Sequence, residues 1–194
     1  MVEISSEFNK RGYEILYNKL LALYSRNELR KVIYRAARRA AQSGVTAIKR
    51  EISSQTTMKS STVLERVKEY TYGGPTQDFA IGIKIDGKPR PLSEFKFFPK
   101  MPKPNTFPTV EIYKGKKQRV SDGAFVQKMP SGHIGVFKRQ SEKRLPIKEL
   151  IGPSVAGLFR ANENIHDTVW NTVFETFEKR VLPELNFALN LENK

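Results

Sequence analysis

Small and apolar residues recur at helical spacing between positions 27 and 53. With Ile33 as the reference and a turn of 100° per residue, one stripe of such residues falls within about 60° of it. The stripe consists of Leu29, Ala36, Ala37, Ala40, Gly44, Ala47 and Ile48. It predicts a long amphipathic helix over residues 27–53, with Asn27 as N-cap and a narrow buried face. Because small side chains let another backbone approach closely, this face can pack on a sheet of the same domain or on a neighbouring subunit.

A second helical pattern lies near the C-terminus. Apolar residues repeat there at every fourth position: Ile165, Val169, Val173, Phe177 and Val181. They predict a long helix over residues 164–180, which Pro183 should kink or end. Shorter helices are predicted over residues 13–24, 63–70 and 153–159. The second of these follows a capping box of Thr62 and Glu65, and the third has Pro153 at its first position.

Period-two alternation predicts antiparallel strands in the middle of the chain. One strand runs up to an Asp86-Gly87 turn and has its apolar side formed by Phe79, Ile81, Ile83 and Ile85. Further short strands are predicted over residues 110–113, 124–128 and 134–138, the last two joined by a hairpin loop. Several antiparallel strands are therefore expected between the two long helices.

Six of the eleven prolines lie between Pro89 and Pro108. This density argues against a helix and against a central strand, so an extended loop is predicted over about residues 89–108. The whole chain of 194 residues has the length of one substantial domain. The elements together predict a single α+β domain over residues 1–194, in which a long N-terminal helix and a long C-terminal helix pack on an antiparallel β-sheet.

Composition narrows the class of protein. The chain has no Cys, which excludes disulfides and thiolate metal sites and fits synthesis in a reducing cytoplasm. No apolar run approaches the roughly 18–20 residues that a membrane span requires, so no membrane partner is expected. The first ten residues do not show the basic start and apolar stretch of a secretion signal.

The net charge of +14 is unevenly distributed. Residues 84–148 contain 16 Lys and Arg against 5 Asp and Glu, and residues 26–50 contain 8 against 1. Such asymmetry indicates a polyanionic partner, including non-specific contact with DNA, or an acidic protein surface; a solvated basic face is the plain alternative. The candidate contact residues are Lys31, Arg35, Arg38, Lys114, Lys116, Lys117, Arg139 and Arg144.

Two alternatives would make the chain a nucleic-acid-binding protein. Residues 52–67 place two helical segments around a polar turn, and Ser61-Thr62-Val63 resembles the opening of a recognition helix. The match is incomplete, because Thr57 occupies the turn position that is often Gly. The second alternative is a basic hairpin lying on nucleic acid, with Tyr113 and Phe137 as aromatic side chains that can stack on bases. It has two basic clusters: Lys114, Lys116, Lys117 and Arg119, and Lys138, Arg139, Lys143 and Arg144. The strand alternation of both aromatics also fits a place in the core.

Catalytic and cofactor-binding patterns do not occur in the sequence. His133 and His166, the two histidines, are 33 residues apart, and neither has a carboxylate or Cys at metal-ligand spacing. A phosphate-binding G-x-x-x-x-G-K-[ST] loop is also missing. Nothing in the sequence assigns Glu142 and Glu149 the roles of acid and base. We therefore expect no enzyme, no metal and no cofactor.

Several segments occur in one characteristic order along the chain. The long helix at 35–52 comes first, followed by the short helix after Met58-Lys59 and by Arg90-Pro91-Leu92 with Phe95. Then come Gly123-Ala124-Phe125-Val126, Gly132-His133, residues 135–139, Leu145-Pro146-Ile147 and Gly152-Pro153-Ser154-Val155. In this order they resemble the minor tail protein Z family of tailed bacteriophages, the tail completion proteins. Arg90 departs from the family pattern, which usually has Ile there, and the proline-rich stretch after Phe98 is longer than expected.

The resemblance implies a structural virion component and not an enzyme. Such proteins act late in tail assembly, in tail completion and head–tail joining, at the head-proximal end of a long flexible tail. Related neck and tail-completion proteins are α+β and commonly form rings. The implied partners are therefore copies of this chain and other tail and head–tail joining proteins. The implied location is the phage tail in the virion, with the host cytoplasm as the site of assembly.

Overall fold

The computed structural model describes residues 26–191, and the surroundings of side chains for residues 27–185. The short helix predicted over residues 13–24 lies outside the described residues. Within them, the chain forms four α-helices: α1 (Arg26–Gln55), α2 (Ser60–Arg66), α3 (Val155–Arg160) and α4 (Glu163–Leu191). Antiparallel strands fill the middle of the chain, so the α+β class with a long helix at each end is confirmed.

The strands of the described residues are divided among four small sheets instead of one. The first pairs β1 (Val67–Tyr72) with β2 (Ala80–Ile85), and the second pairs β3 (Arg90–Pro91) with β10 (Ile151–Gly152). The third contains β4 (Lys96–Phe98), β5 (Thr109–Glu111) and β6 (Lys117–Arg119), with β5 in the centre. The fourth contains β7 (Ala124–Lys128), β8 (Ile134–Arg139) and β9 (Ile147–Glu149), with β8 in the centre.

Helices α1 and α4 pack side by side in antiparallel directions. Asn162, just before α4, donates a hydrogen bond to Gln55 at the end of α1. At the other end Arg35 lies 2.7 Å from Glu184. Most of the predicted stripe of α1 is buried, with Ala37 and Ile33 only partly covered. The small-residue face therefore packs within the chain, against α4 and the first sheet.

Several predicted boundaries are wrong at the ends of helices. Asn27 lies inside α1, and α2 begins after Lys59 without a side-chain cap. Neither Asn27 nor Thr62 is therefore the N-cap of its helix. The chain leaves the helix at Arg66, because residues 67–72 pair with β2, where a helix had been predicted to residue 70. Pro183 lies inside α4, which continues to Leu191. Pairing and packing with distant elements override these local signals.

Helix α3 begins at Val155, two residues later than predicted. Ser154 is its N-cap, and its hydroxyl oxygen accepts a hydrogen bond of 2.9 Å from the Gly157 backbone N–H. Such a side-chain acceptor satisfies one of the unpaired donors at a helix start. Pro153 thus precedes the helix and directs the chain from β10 into it.

The proline-rich stretch is more ordered in its first half than an extended loop would be. Residues 90–98 form β3, a 3-10 turn at Leu92–Glu94 and β4, and irregular backbone is confined to residues 99–108. Strand β4 is an edge strand of its sheet, the position at which flanking prolines are tolerated. Leu92, Phe95 and Phe97 are buried here and join this stretch to the core.

The core draws on most parts of the described chain. Its buried side chains come from both long helices, both short helices and three of the sheets: Ile48, Ile52, Val63, Val67, Phe97, Val110, Val126, Val136, Val155, Ile165 and Val169. The link between α1 and α2 is fixed to the residues that directly follow β5. The Thr57 backbone N–H donates to the Ile112 carbonyl at 2.9 Å, and Thr56 bridges to Tyr113.

Candidate functional site

The third sheet presents a basic outer face. Lys96, Glu111 and Lys117 are paired across its strands, and Phe98, Thr109 and Arg119 form the next row on the same side. Phe97 and Val110 alternate with these residues and are buried on the opposite side. We call the six residues of the outer rows the basic sheet face: Lys96, Phe98, Thr109, Glu111, Lys117 and Arg119. Strand alternation therefore separates the charged side of the sheet from the core side.

Large apolar side chains are exposed on and beside this face. Phe98 is 58% exposed, Met101 54% and Phe107 56%. The Arg119 guanidinium carbon lies 3.8 Å from the centre of the Phe107 ring, a cation–π distance. The result is a set of exposed apolar side chains on and beside the face, with a cation next to Phe107. We call Phe98, Met101 and Phe107 the apolar knob.

The lysines around the basic sheet face influence one another. The pKa of Lys100 is lowered because partial burial penalises its charged form, and because the cations of Lys59 and Lys96 lie nearby. Its ammonium lies 4.1 Å from the centre of the Phe97 ring. Such clustering of like charge favours the approach of an anionic group.

Glu111 is the buried anion within this basic face. The Gly115 backbone N–H donates to its carboxylate at 2.8 Å, and the Lys96 ammonium lies 3.2 Å away. These contacts, the backbone hydrogen bond first, lower the pKa of Glu111 below its ordinary value of 4.5. Glu111 thus neutralises part of the charge and fixes the turn that follows β5.

The predicted contact residues of α1 lie elsewhere and have partners within the chain. Lys31 pairs with Glu28 at 2.6 Å. Arg35 pairs with Glu184 of α4, and Arg38 lies 2.9 Å from Glu69 of β1. Arg35 and Arg38 connect α1 to other elements, whereas the Lys31 pair lies within α1. The structure does not bring these cations to the basic sheet face.

The other predicted contact residues are spread over two places. Lys117 belongs to the basic sheet face, and Lys116 lies beside it in the turn before β6. The Lys114 ammonium donates to the Ser53 carbonyl at 2.8 Å and so connects this turn to the end of α1. Arg139 lies 5.6 Å from the Phe125 ring on the fourth sheet, and Arg144 is exposed in the link that follows.

Sequence reasoning placed Arg119 in a basic cluster with Lys117 but missed three cations of this region: Lys59, Lys96 and Lys100. A signal for Lys96 was available, because it alternates with the buried Phe97 in the short strand 96–98. For Lys59 and Lys100 only the folding of the chain brings them near Lys96.

An apolar groove with a cavity volume of about 480 Å³ lies on another part of the molecule. Small residues of α1, alternate positions of β2 and one side of α4 line it, including Ala37, Ala41, Ile81, Ile83, Trp170, Phe174 and Phe177. Trp170, one of the residues that line the groove, is 41% exposed. Gly44 lies between Ile83 and Val173 next to this groove and keeps the three elements close.

The helix-turn-helix alternative has little support from this geometry. Helix α2 has only seven residues, its Val63 is fully buried, and Leu64 and Glu65 are on its exposed side. Arg66, its basic residue, is bonded to Asp86 at 3.1 Å. A recognition helix needs donors that can reach base edges, and the exposed side of α2 presents few of them.

The comparison with protein families is decisive for the class of the molecule. The model of the family described as prophage minor tail protein Z (GPZ) matches residues 18–193. The chain belongs to this family. It is therefore a structural component of a phage tail, and it belongs to the virion. No curated protein and no solved structure matched the chain.

Among the described residues, Ser93, His133 and Glu149 form a polar cluster that resembles a catalytic group. His133 Nε2 lies 2.8 Å from Glu149 Oε1, and the Ser93 hydroxyl donates to the same oxygen at 3.1 Å. The carboxylate thus stands between serine and histidine, so the histidine does not accept the serine proton as a general base would require. A Cβ on Gly135 would lie 2.5 Å from Glu149 Oε1, and this glycine leaves room for the cluster.

In residues 26–191, no three His, Asp or Glu side chains are grouped in a way that could hold a metal ion. Over the same residues, no helix combines the length and the apolar content needed to cross a bilayer.

Proposed function

We propose that this minor tail protein Z chain completes the tail and takes part in joining it to the head. It acts there as the repeating subunit of a ring at the head-proximal end. The observation that carries the proposal is the family match over residues 18–193, which includes nearly the whole chain. The polar and apolar surfaces described above support a role in contacts between proteins and not in catalysis.

The chain acts as one α+β domain in this proposal. Bonds between remote parts of the sequence support it, since Arg35 pairs with Glu184 and Asn162 bonds to Gln55. Its partners are further copies of itself and other tail and head–tail joining proteins, which it meets in the host cytoplasm during assembly. It uses no metal or cofactor and catalyses no reaction.

The proposed function is tested by assembly with parts of the parent phage. The gene for this chain is inactivated, and the products are examined by electron microscopy and by titration of infectious particles. We expect separate heads and tails, and we expect purified protein to restore their joining in the extract. Normal joining in the absence of the protein would contradict the proposal.

Nucleic-acid binding is the second candidate, and the lysines near Lys100 are the observation that favours it. Neutralisation of phosphates by lysines would produce binding without sequence preference and with a strong dependence on salt. Retention of duplex DNA on the purified protein, measured at low and moderate salt, separates the two candidates. Tight retention at moderate salt, together with no effect on assembly, would favour the second.

A further inference from the structure

The outward side of α4 is acidic next to the apolar groove. Helical rotation places Glu163, Asp167 and Glu178 within about 60° of one another. All three side chains are exposed, Asp167 to 77%. Trp170 and Phe174, which line the groove, lie on the same side of α4, with Glu163 and Asp167 before them and Glu178 after them along the helix. We call Glu163, Asp167 and Glu178 the acidic stripe.

The groove and its stripe are opposite in character to the basic sheet face. The groove is an apolar space whose α4 aromatics have acids before and after them along the helix, whereas the apolar knob consists of exposed apolar side chains near cations. The cations near the knob are Lys96, Lys100 and Lys117, which line one shallow pocket with Phe98, and Arg119, which lies over Phe107. Protein interfaces have this composition, with aromatic side chains in the centre and charges at the rim.

We propose that the basic sheet face of one copy docks on the groove and acidic stripe of the next copy. This rests on the proposed function, and it identifies the surfaces through which the ring subunits would meet. The two surfaces lie on different parts of one chain, so the contact is heterologous and repeats from copy to copy. Phe98, Met101 and Phe107 enter the groove beside Trp170, and the cations face the stripe.

A second copy explains more of the observations than nucleic acid does. A phosphate backbone would account for the lysines but not for the groove, whose lining is nearly all apolar. A copy of the same chain supplies both the anions and the cavity. Charges at the rim steer the encounter and are screened by salt, while the aromatic contacts set the lifetime of the complex.

Charge reversal on each side separately tests the proposal. One variant carries Lys100→Glu, Lys117→Glu and Arg119→Glu; the other carries Glu163→Lys, Asp167→Lys and Glu178→Lys. Self-association of the full chain is measured by sedimentation over a range of concentrations. We expect the wild type to associate and each variant alone to associate about tenfold or more weakly, since three attractive pairs become repulsive.

The decisive sample is the equimolar mixture of the two variants. Each reversed surface then faces the reversed surface of the other variant, so opposite charges meet again at every contact. We expect the mixture to associate as the wild type does. A mixture that stays as weakly associated as its components overturns the proposal.

A matched control changes the same net charge at another place. Lys128→Glu, Lys138→Glu and Lys143→Glu replace exposed lysines outside the basic sheet face, and we expect this variant to associate like the wild type. An equal loss of association in the control would attribute the effect to net charge and overturn the proposal. Unfolding midpoints of all variants show that each is folded.

The apolar knob is tested by Phe107→Ser, with Leu145→Ser as its control. Both side chains are more than half exposed, but Leu145 lies in the link after β8. We expect Phe107→Ser to weaken association about tenfold or more and Leu145→Ser to leave it unchanged. Equal behaviour of the two variants would show that the knob is not an anchor.

The outcomes separate this interface from the proposed function. A wild-type chain that stays monomeric yet restores head–tail joining overturns the interface and leaves the function standing. If the reversal variants and their mixture associate as expected, but heads and tails join normally in the absence of the protein, the interface stands and the proposed function is wrong. If the lysine reversals abolish retention of duplex DNA without changing association, the basic sheet face binds nucleic acid and the proposal is wrong.

Discussion

Gly44 shows how much one residue can decide in this fold. A Cβ built there would lie 2.5 Å from Ile83 Cδ1 of β2 and 2.6 Å from Val173 Cγ2 of α4. Real Cβ atoms do not come this close to other heavy atoms. The absence of a side chain therefore sets the spacing of α1, the first sheet and α4. Helical periodicity placed Gly44 on the buried stripe, but the two contacts come from residues 39 and 129 positions away.

We expect Gly44→Val to lower the free energy of unfolding by about 2 kcal/mol or more, because the added methyl groups overpack this junction. Urea denaturation with linear extrapolation measures the change. Gly87→Val is the control, since a Cβ at Gly87 meets nothing within 4 Å, and we expect it to change stability by about 0.5 kcal/mol or less. Equal losses in both variants would show that the close contact is not the cause.

Glu111 makes a pH-dependent contribution to stability. Its pKa in the folded state lies below 4.5, because the Gly115 N–H and then the Lys96 cation favour the carboxylate. A lowered folded pKa stabilises the fold above the unfolded pKa, and this stabilisation is lost as the pH falls through the folded pKa. We expect wild type to be more stable than Glu111→Gln at neutral pH, with the difference shrinking below about pH 4.5.

The measurement for Glu111 is the urea midpoint of both proteins between neutral pH and about pH 3. Lys96→Gln is a useful companion, because it removes the ammonium but keeps the hydrogen bond from Gly115. We therefore compare the Lys96→Gln variant with the double variant Lys96→Gln and Glu111→Gln. We expect the difference in stability between these two proteins to keep part of its dependence on pH. A difference that stays constant with pH would mean that the carboxylate charge does not stabilise the fold.

At the scale of elements, the turn between α1 and α2 determines how the helices meet the third sheet. The Thr57 hydroxyl donates to the Glu111 carbonyl and accepts from the Lys96 backbone N–H at 2.9 Å. One side chain thus connects β4, β5 and the turn. The sequence indicated a polar turn here and suggested a DNA-binding motif. It could not show these partners, which lie about 40 and 54 positions away.

We expect Thr57→Val to lower the free energy of unfolding by about 1–3 kcal/mol, because it leaves a carbonyl and an N–H without their partner. Thr57→Ser keeps the hydroxyl and should recover most of this loss. Chemical denaturation measures stability, and hydrogen exchange at the Lys96 amide reports the local bond. If Thr57→Val and Thr57→Ser exchange at the same rate there, the hydroxyl does not protect the strand.

The helix ends show why element boundaries were harder to predict than elements. The long helices were recognised from their periodicity, which depends only on which side of each helix is buried. The boundary at Arg66 depends on β1 pairing with β2, and residues 67–70 have no local feature that forbids a helix. Continuation through Pro183 is likewise decided by packing of α4 along α1, with Arg35 bonded to Glu184 just beyond it.

At the scale of the whole molecule, packing of the core stabilises the folded state, whereas repulsion among the positive charges destabilises it. The chain carries a net charge of +14, so the folded state contains considerable self-repulsion. Ion pairs such as Arg30 with Asp78 and Arg66 with Asp86 relieve part of it. At the third sheet, Lys100 and Lys117 lie near Lys96, which pairs with Glu111, and Arg119 pairs with Asp122. This group of cations makes that sheet a candidate interaction surface.

We expect the melting temperature to rise as sodium chloride increases from about 20 mM to about 500 mM, because salt screens repulsion between like charges. Scanning calorimetry at constant low protein concentration measures the change and limits the effect of association. The variant with Lys128→Glu, Lys138→Glu and Lys143→Glu carries less positive charge and should show a smaller rise. A fall in melting temperature with salt would mean that attractive ion pairs outweigh the repulsion.

The sequence by itself determined the class of the fold, the two long helices, the β7–β8 hairpin and membership of the family. These features depend on periodicity and on the order of segments, which are local properties of the chain. Only the tertiary structure decided how the strands divide into four sheets and which cations form ion pairs. It also decided that Lys59 and Lys96 lie near Lys100. Those outcomes depend on contacts between residues far apart in sequence, and periodicity carries no information about such contacts.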